Sequence, residues 1–388
     1  KKILVVLLAV VMSQSFVTYA QSDIEIFGFY QVRLSKEVGR YSLKGTLPAE
    51  LGGATMQLSG DDQNQLSPAV QQLNLMIRKE FSSKVSTFLS FEMINNFSTE
   101  RGWGAFNLEE FWLNYDYTSN HSIKGGLLIP KFNSLNEIKN KMPLLPYIFR
   151  PLAYEPTLRA IVNPSDFLPE RAFVQLQGRF FAEDLELNYA AYAGASESDY
   201  ILSHEVESAS GTGTDTTNFK LFGGRIGINY NNLRVGVSTS FDKDNHQATL
   251  QEDVKRTRLG FDIGYSMFGF TIDGEYINVM LDPKNTDQDL NKLFYYGTLS
   301  YDFTDRIFAY GTYSYLENKA IEYFADGIKS VMFGAGYRAM DNVVLKVQYS
   351  ANDSKGNIPI IINPALPPIS ADMEVDYKYY SIALSVLF

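Results

Sequence analysis

The chain has 388 residues, a formal net charge of −10 and no cysteine. The acidic balance makes the chain a poor candidate for nucleic acid, and the absence of thiols excludes a disulfide scaffold or a thiolate metal site. Aromatic residues make up 14% of the chain, yet beyond its first twenty residues no apolar run approaches the ~18 residues of a spanning helix, which leaves a membrane barrel as the way to use so many aromatics.

Lys1-Lys2, the apolar run Ile3 to Val11 and Thr18-Tyr19-Ala20 have the order of a secretory signal peptide, with cleavage expected after Ala20. Residues 21–388 are then one transmembrane β-barrel domain. From Asp23 to Leu34, Ile24, Ile26, Gly28, Tyr30, Val32 and Leu34 alternate with Glu25, Phe27, Phe29, Gln31 and Arg33, the period-two signature of a half-buried strand. A polar, glycine-rich stretch over 35–68 reads as a loop. The alternation predicts further strands at about 69–82, 85–94, 110–117, 121–129, 170–182, 184–193, 219–230, 232–241, 255–267, 268–280, 292–302, 306–316, 328–338, 342–352 and 373–388. Short turns alternate with long polar connections, the last of them over 353–372. This predicts an all-β, antiparallel barrel of about sixteen strands.

A soluble β-sandwich is the competing architecture. Against it stand the even strand count, the absence of proline from every expected strand interior, and a last strand with Tyr380, Ile382, Leu384, Val386 and Phe388 on one face.

Residues 130–168 break the rhythm. They hold six of the fourteen prolines and many apolar residues, too apolar for disorder and too long for an ordinary connection. The reading is an inward-folded third extracellular loop, a constriction segment that narrows the lumen. Ser134 and Glu137 have capping-box spacing, which predicts a helix over about 135–142 stopped by Pro143. Lys131, Lys139, Lys141, Arg150 and Arg159 outnumber Glu137, Glu155 and Asp166, so the constriction is expected to favour anions.

If the apolar faces meet lipid, the opposite faces line the lumen. They carry Arg33, Arg78, Lys124, Arg171, Arg179, Arg225, Arg234, Arg256, Arg258, Arg338, Lys346 and Lys378. Glu25, Glu80, Glu92, Glu110, Asp116, Glu186, Asp262, Asp273, Glu275 and Asp302 share that side. Such a mixed wall orients dipolar solutes, or its charges pair across neighbouring strands and simply keep the lumen wet. Phe27, Phe29, Trp112, Tyr192, Phe294 and Tyr296 form a possible stacking track for sugar rings, with interfacial aromatic girdles as the competing explanation. Asn285, Asp287 and Asp289 alternate like calcium ligands but lack the glycine and terminal glutamate of a calcium loop, so no metal or cofactor is expected. The apolar stretch from Ile358 to Pro368 is expected to pack over the barrel mouth or against a neighbouring subunit.

Enzyme chemistry is not expected. The only histidines are His121, His204 and His246, in a turn and two loops, and there is no Gly-x-Ser-x-Gly elbow. A surface receptor or adhesin without an open pore is a third class.

The signal peptide, the strand rhythm, the terminal Tyr379 to Phe388 and the long third loop together resemble the sixteen-stranded outer-membrane porins of Gram-negative bacteria. Lys124-Gly125-Gly126-Leu127-Leu128-Ile129-Pro130-Lys131-Phe132 is similar to the passage leading into the constriction of the phosphate-selective porin O and P family, with Pro-Lys-Phe replacing Lys-Pro-Phe. The resemblance implies a homotrimer in the bacterial outer membrane, contacting lipid and lipopolysaccharide. It also implies passive diffusion of small hydrophilic solutes, with a preference for anions such as phosphate or, alternatively, for sugars.

Overall fold

The computed structural model describes residues 24–46, 55–61, 66–94, 107–155, 164–195, 220–244, 254–282, 290–319, 327–360 and 369–388. The expected signal peptide, Arg159, His204, His246, the Asn285 to Asp289 stretch and the tip from Ile361 to Pro368 lie outside these residues.

Seventeen strands form one antiparallel sheet: β1 Glu25–Thr46, β2 Thr55–Asp61, β3 Leu66–Ser82, β4 Val85–Ile94, β5 Asn107–Thr118, β6 His121–Leu128, β7 Ala172–Ala182, β8 Leu185–Ala195 and β9 Lys220–Tyr230. They continue with β10 Leu233–Asp244, β11 Val254–Met267, β12 Phe270–Asp282, β13 Lys292–Asp302, β14 Ile307–Asn318, β15 Ile328–Met340, β16 Val343–Ile360 and β17 Ile369–Leu387. β1 pairs with β3 from Glu25 to Lys36 and with β2 from Arg40 to Thr46. The two share one place in the ring, which therefore has sixteen positions. It closes where β1 pairs with β17. There Gly28 and Phe388 exchange both backbone hydrogen bonds at 2.9 Å. The Phe388 ring lies against Gly28, in space that a Cβ would occupy.

The distribution of exposure separates a membrane barrel from a sandwich. Ile226 and Val237 are 61% and 59% exposed, whereas Arg258, Asp262 and Ser240 are 0% exposed. A water-soluble protein does the reverse; a barrel in lipid turns its apolar face outward and its polar face to the lumen.

Sequence and structure differ in four places, the first being β2 over Thr55–Asp61, a strand inside the 35–68 stretch expected to be a loop. β1 runs on to Thr46, and β16 and β17 extend to Ile360 and from Ile369, where polar loops were expected. These strand ends lie beyond the apolar band, so the lipid-facing half of the alternation is missing. Pro68 pairs opposite Leu34 and Pro359 opposite Ser370, so two prolines do sit in strands, both near strand ends. No helix forms over 135–142. Three-residue turns follow one another instead, with Ile138 N–H donating to Leu135 C=O at 3.1 Å and Lys141 N–H to Ile138 C=O at 2.8 Å. They lead into a 3-10 turn at Met142–Leu144 that contains Pro143. The expected cap is diverted: Ser134 Oγ donates to Glu275 at 2.9 Å, and Glu137 approaches Lys131 Nζ at 3.8 Å.

Candidate functional site

Residues 129–171 join β6 to β7; of their described apolar side chains Phe132, Met142, Ile148, Ala153 and Phe167 are all 0% exposed, while Leu144 and Ile138 are exposed. Hydrogen bonds tie this segment to strands all round the ring. Lys131 N–H donates to Gln175 on β7, Asn133 N–H to Ser238 Oγ on β10, and Ile148 and Phe149 N–H both donate to Gln348 on β16. Tyr147 Oη and Thr298 Oγ1 on β13 are 2.8 Å apart. On β3, register slips by one residue against β1, which turns Gln71 and Gln72 to the same side; they donate to the carbonyls of Ile148 and Asn140.

Two buried charges hold five more of its backbone groups. Glu275 on β12 accepts from Ser134 N–H at 3.1 Å, Ser134 Oγ at 2.9 Å, Leu135 N–H at 2.7 Å and the Tyr154 hydroxyl. Burial first, and the neighbouring Glu275 charge second, push the Tyr154 phenol well above its ordinary range, so it remains a donor. Lys346 on β16 donates to the carbonyls of Met142 at 2.8 Å, Leu145 at 2.7 Å and Tyr147 at 3.3 Å. Among the described residues no carboxylate pairs with Lys346. Alternation assigns both residues to the lumen side, but their use as holders of one loop depends on tertiary placement that no sequence spacing encodes.

The expected constriction residues divide by environment. Arg150, 4% exposed, donates through Nη1 to Lys139 C=O and Asn140 Oδ1, both at 2.6 Å, and its N–H donates to Glu155 at 2.7 Å. Lys139 is also buried and donates to Asn136 at 3.0 Å. These two are internal braces of the segment, not groups presented to open space. Lys131, Glu137 and Lys141 face a cavity of about 970 Å³. Of the four described basic residues of 130–168, two are thus used inside the segment and two face the cavity.

Most of the expected wall cations meet acids. Arg225 on β9 reaches Asp262 at 2.7 Å, Arg256 on β11 grips Asp242 with two bonds of 2.8 and 2.6 Å, and Arg258 adds a third at 3.2 Å. Arg78 pairs with Glu80 near the short-turn end, and Arg234 pairs with Asp273 at 2.8 Å. Arg33 places its guanidinium 4.5 Å from the ring centroid of Phe149, and Arg171 stands part-buried at the entrance to β7. Arg179 and Lys124 line the 970 Å³ cavity. Lys378 shares the outward face with Tyr380 and Ile382 and pairs there with Asp376 at 3.0 Å, so it does not line the lumen. Sequence reading missed Glu109. A register slip between β4 and β5 turns it to the same side as Glu110, where Asn74, Ser90 and Asn140 donate to it.

The expected aromatic track is split. Phe27, Phe29 and Trp112 line the larger cavity together with Phe88. Tyr192 is buried with Leu128, Ala172 and Leu221 in a cluster against which Trp112 also packs, while Phe294 and Tyr296 pack against Tyr154. A second space of about 330 Å³ lies between the segment and β10 to β16, bordered by Tyr147, Arg234, Asp273, Arg338 and Lys346.

No family profile and no curated protein matches the sequence. Among solved structures, the fold is similar to the outer membrane channel DcaP of Acinetobacter baumannii, with a TM-score of 0.55 and 11% identity over 95% of this chain and 99% of that one. OmpT of Vibrio cholerae gives 0.54 and 11% over 96% of this chain and all of that one. An anion-selective porin from Comamonas acidovorans gives 0.54 and 12% over 95% and 100%. At these identities the likeness establishes the fold, a closed antiparallel barrel spanning nearly the whole chain.

Proposed function

We propose that the protein is a porin of a bacterial outer membrane, passing small hydrophilic solutes by diffusion through a water-filled lumen that the 129–171 segment narrows. The observation that carries this reading is the segment's set of partners: side chains on β3, β5, β7, β10, β12, β13 and β16 all bond to it. Partners on so many strands of a closed ring support the reading that the segment crosses the space the ring encloses. The cavities of about 970 and 330 Å³ beside it are bordered by charges of both signs, as a solvated path for polar solutes requires. Lipid and lipopolysaccharide would surround the exposed apolar band, and a homotrimer is the assembly expected of this barrel type. An anion preference, phosphate among the anions, would rest on Lys124, Lys131, Lys141 and Arg179 in the larger cavity. The mature chain would begin after Ala20.

The test is single-channel conductance of the folded protein in a planar bilayer, with the reversal potential under chloride and phosphate gradients, repeated after removal of residues 134–160. A steady channel that widens on deletion is expected. Silence in both forms would reject the channel and favour a receptor barrel.

A further inference from the structure

The larger cavity is lopsided in a way that a general diffusion path does not need. Across β1, β4 and β5 its wall is a connected row of rings, which Lys124 on β6 ends. The Phe27 centroid is 6.5 Å from that of Phe88, Phe88 stacks on Trp112 at 5.2 Å and 26°, and Lys124 Nζ lies 4.2 Å from the Trp112 centroid. Phe29 and Met76 widen the apolar side. The row is held in place. Trp112 Nε1 donates to Glu110 at 2.8 Å, fixing the indole. Beneath it Gly126 adopts φ +131°, and a Cβ there would strike Phe111 C=O and Trp112 Cα, so only glycine permits this close approach.

Beside the rings stand ammonium groups. Lys131 has a carboxylate partner, Glu137 at 3.8 Å. Among the described residues Lys124 and Lys141 have no ion pair, and both line the same cavity. We infer that this wall is a binding site for small solutes combining a planar ring with an anionic group, the chemical class of aromatic carboxylates. The inference rests on the channel reading for its biological sense, and it narrows the class of solute. A neutral sugar would leave the two ammonium groups only the carboxylates of Glu110 and Glu137, to which neither is bonded, as counter-charge, and an inorganic anion would leave the aromatic row uncovered. A ring carrying a carboxylate satisfies both at once: the ring against Phe27, Phe88 and Trp112, the carboxylate towards Lys124 and Lys141. The space, about 970 Å³, admits such a molecule with water around it.

The chain has two tryptophans, Trp103 and Trp112, so Trp103→Phe leaves Trp112 as its only indole. The experiment titrates folded Trp103→Phe protein in detergent with benzoate, with acetate (charge without ring) and with benzyl alcohol (ring without charge), reading Trp112 fluorescence. Benzoate is expected to saturate at a concentration about tenfold below either control. Adding Lys124→Gln is expected to raise the benzoate half-saturation about tenfold while leaving benzyl alcohol unchanged. Lys141→Gln supplies the same comparison if Lys124→Gln fails to fold. A response equal for all three probes, no saturable response to benzoate, or lysine variants that bind benzoate like the parent would overturn the proposal. Because the readout is binding and not current, a failed conductance assay and a failed titration are separate results.

Discussion

Glu275 and Lys346 are buried charges whose partners are loop backbone groups and uncharged side chains, not ions of opposite sign. Such a charge tolerates burial only while its hydrogen bonds are complete. The 129–171 segment therefore has a strong reason to stay docked, and each charge has a strong reason to keep it there. Glu275→Gln replaces one acceptor oxygen by an amide that can only donate, facing groups that also donate. The expected cost is on the order of 2 kcal/mol, because at least one buried donor is left unmatched. Tyr154→Phe removes a single donor from the same carboxylate and should cost about 1 kcal/mol. Lys346→Met leaves three carbonyls without their donor and should loosen the segment as much as Glu275→Gln or more. Limited proteolysis of the folded barrel checks this, with cleavage between residues 129 and 171 expected to rank Tyr154→Phe below Glu275→Gln and Lys346→Met. Cleavage at the parent's rate in all three would mean that these bonds do not hold the segment.

At the scale of elements, the strands that cross the apolar band were legible from alternation alone, because lipid on one side and water on the other impose a strict period of two. Tight turns announced themselves where their chemistry is special, as at Asn231, whose φ of +50° asparagine tolerates well. At Phe268 and Gly269 the reversal was expected, with two strands abutting at 267 and 268, but its residues were not, since phenylalanine at φ +52° is no turn signal. The outer ends of β1, β16 and β17 were invisible for a different reason: past the membrane neither face needs to be apolar. The extended β16 and β17 hairpin is not mere projection. Ala371 is 0% exposed and Met373 packs against the apolar cluster that contains Phe132, Leu152 and Tyr154. Cutting the hairpin back to Ser354 and Val375, joined by Asn-Gly, preserves the antiparallel register and supplies a favourable two-residue turn. The shortened barrel is expected to fold and insert, with faster proteolysis of the segment that Met373 no longer covers. Failure to fold would show that the outer hairpin is part of the barrel's nucleus and not a cover.

For the whole molecule, taken as the channel proposed above, pairing of charges across strands decides how selective the lumen would be. Arg225, Arg234, Arg256 and Arg258 each lie within 3.2 Å of a carboxylate oxygen, so their fields largely cancel a few ångströms from the wall. The sequence revealed the signs on the inner face but not this cancellation, because pairing depends on register between strands far apart in the chain. Arg225 and Asp262, for instance, are 37 residues apart. What remains to act on a passing ion is the group beside the 970 Å³ cavity: Lys124, Lys131, Lys141 and Arg179 against Glu110, Asp116, Glu137 and Glu186. With Arg78 of the same lining paired to Glu80, these four cations facing four carboxylates give a weak field, in which the two lysines without ion pairs tip the balance. The expected reversal potential is therefore a modest shift towards anions at about 0.1 M salt, where screening acts over roughly 10 Å, and close to none at 1 M, where it acts over roughly 3 Å. Lys141→Gln should abolish most of the low-salt shift, since it removes a cation exposed to the cavity. Arg256→Gln should leave it nearly unchanged, since that guanidinium is buried against Asp242 at 2.6 Å. Reversal potentials of the three proteins at both salt concentrations test the assignment. An Arg256 variant that loses the shift while the Lys141 variant keeps it would place the selective field in the paired wall and not in the cavity.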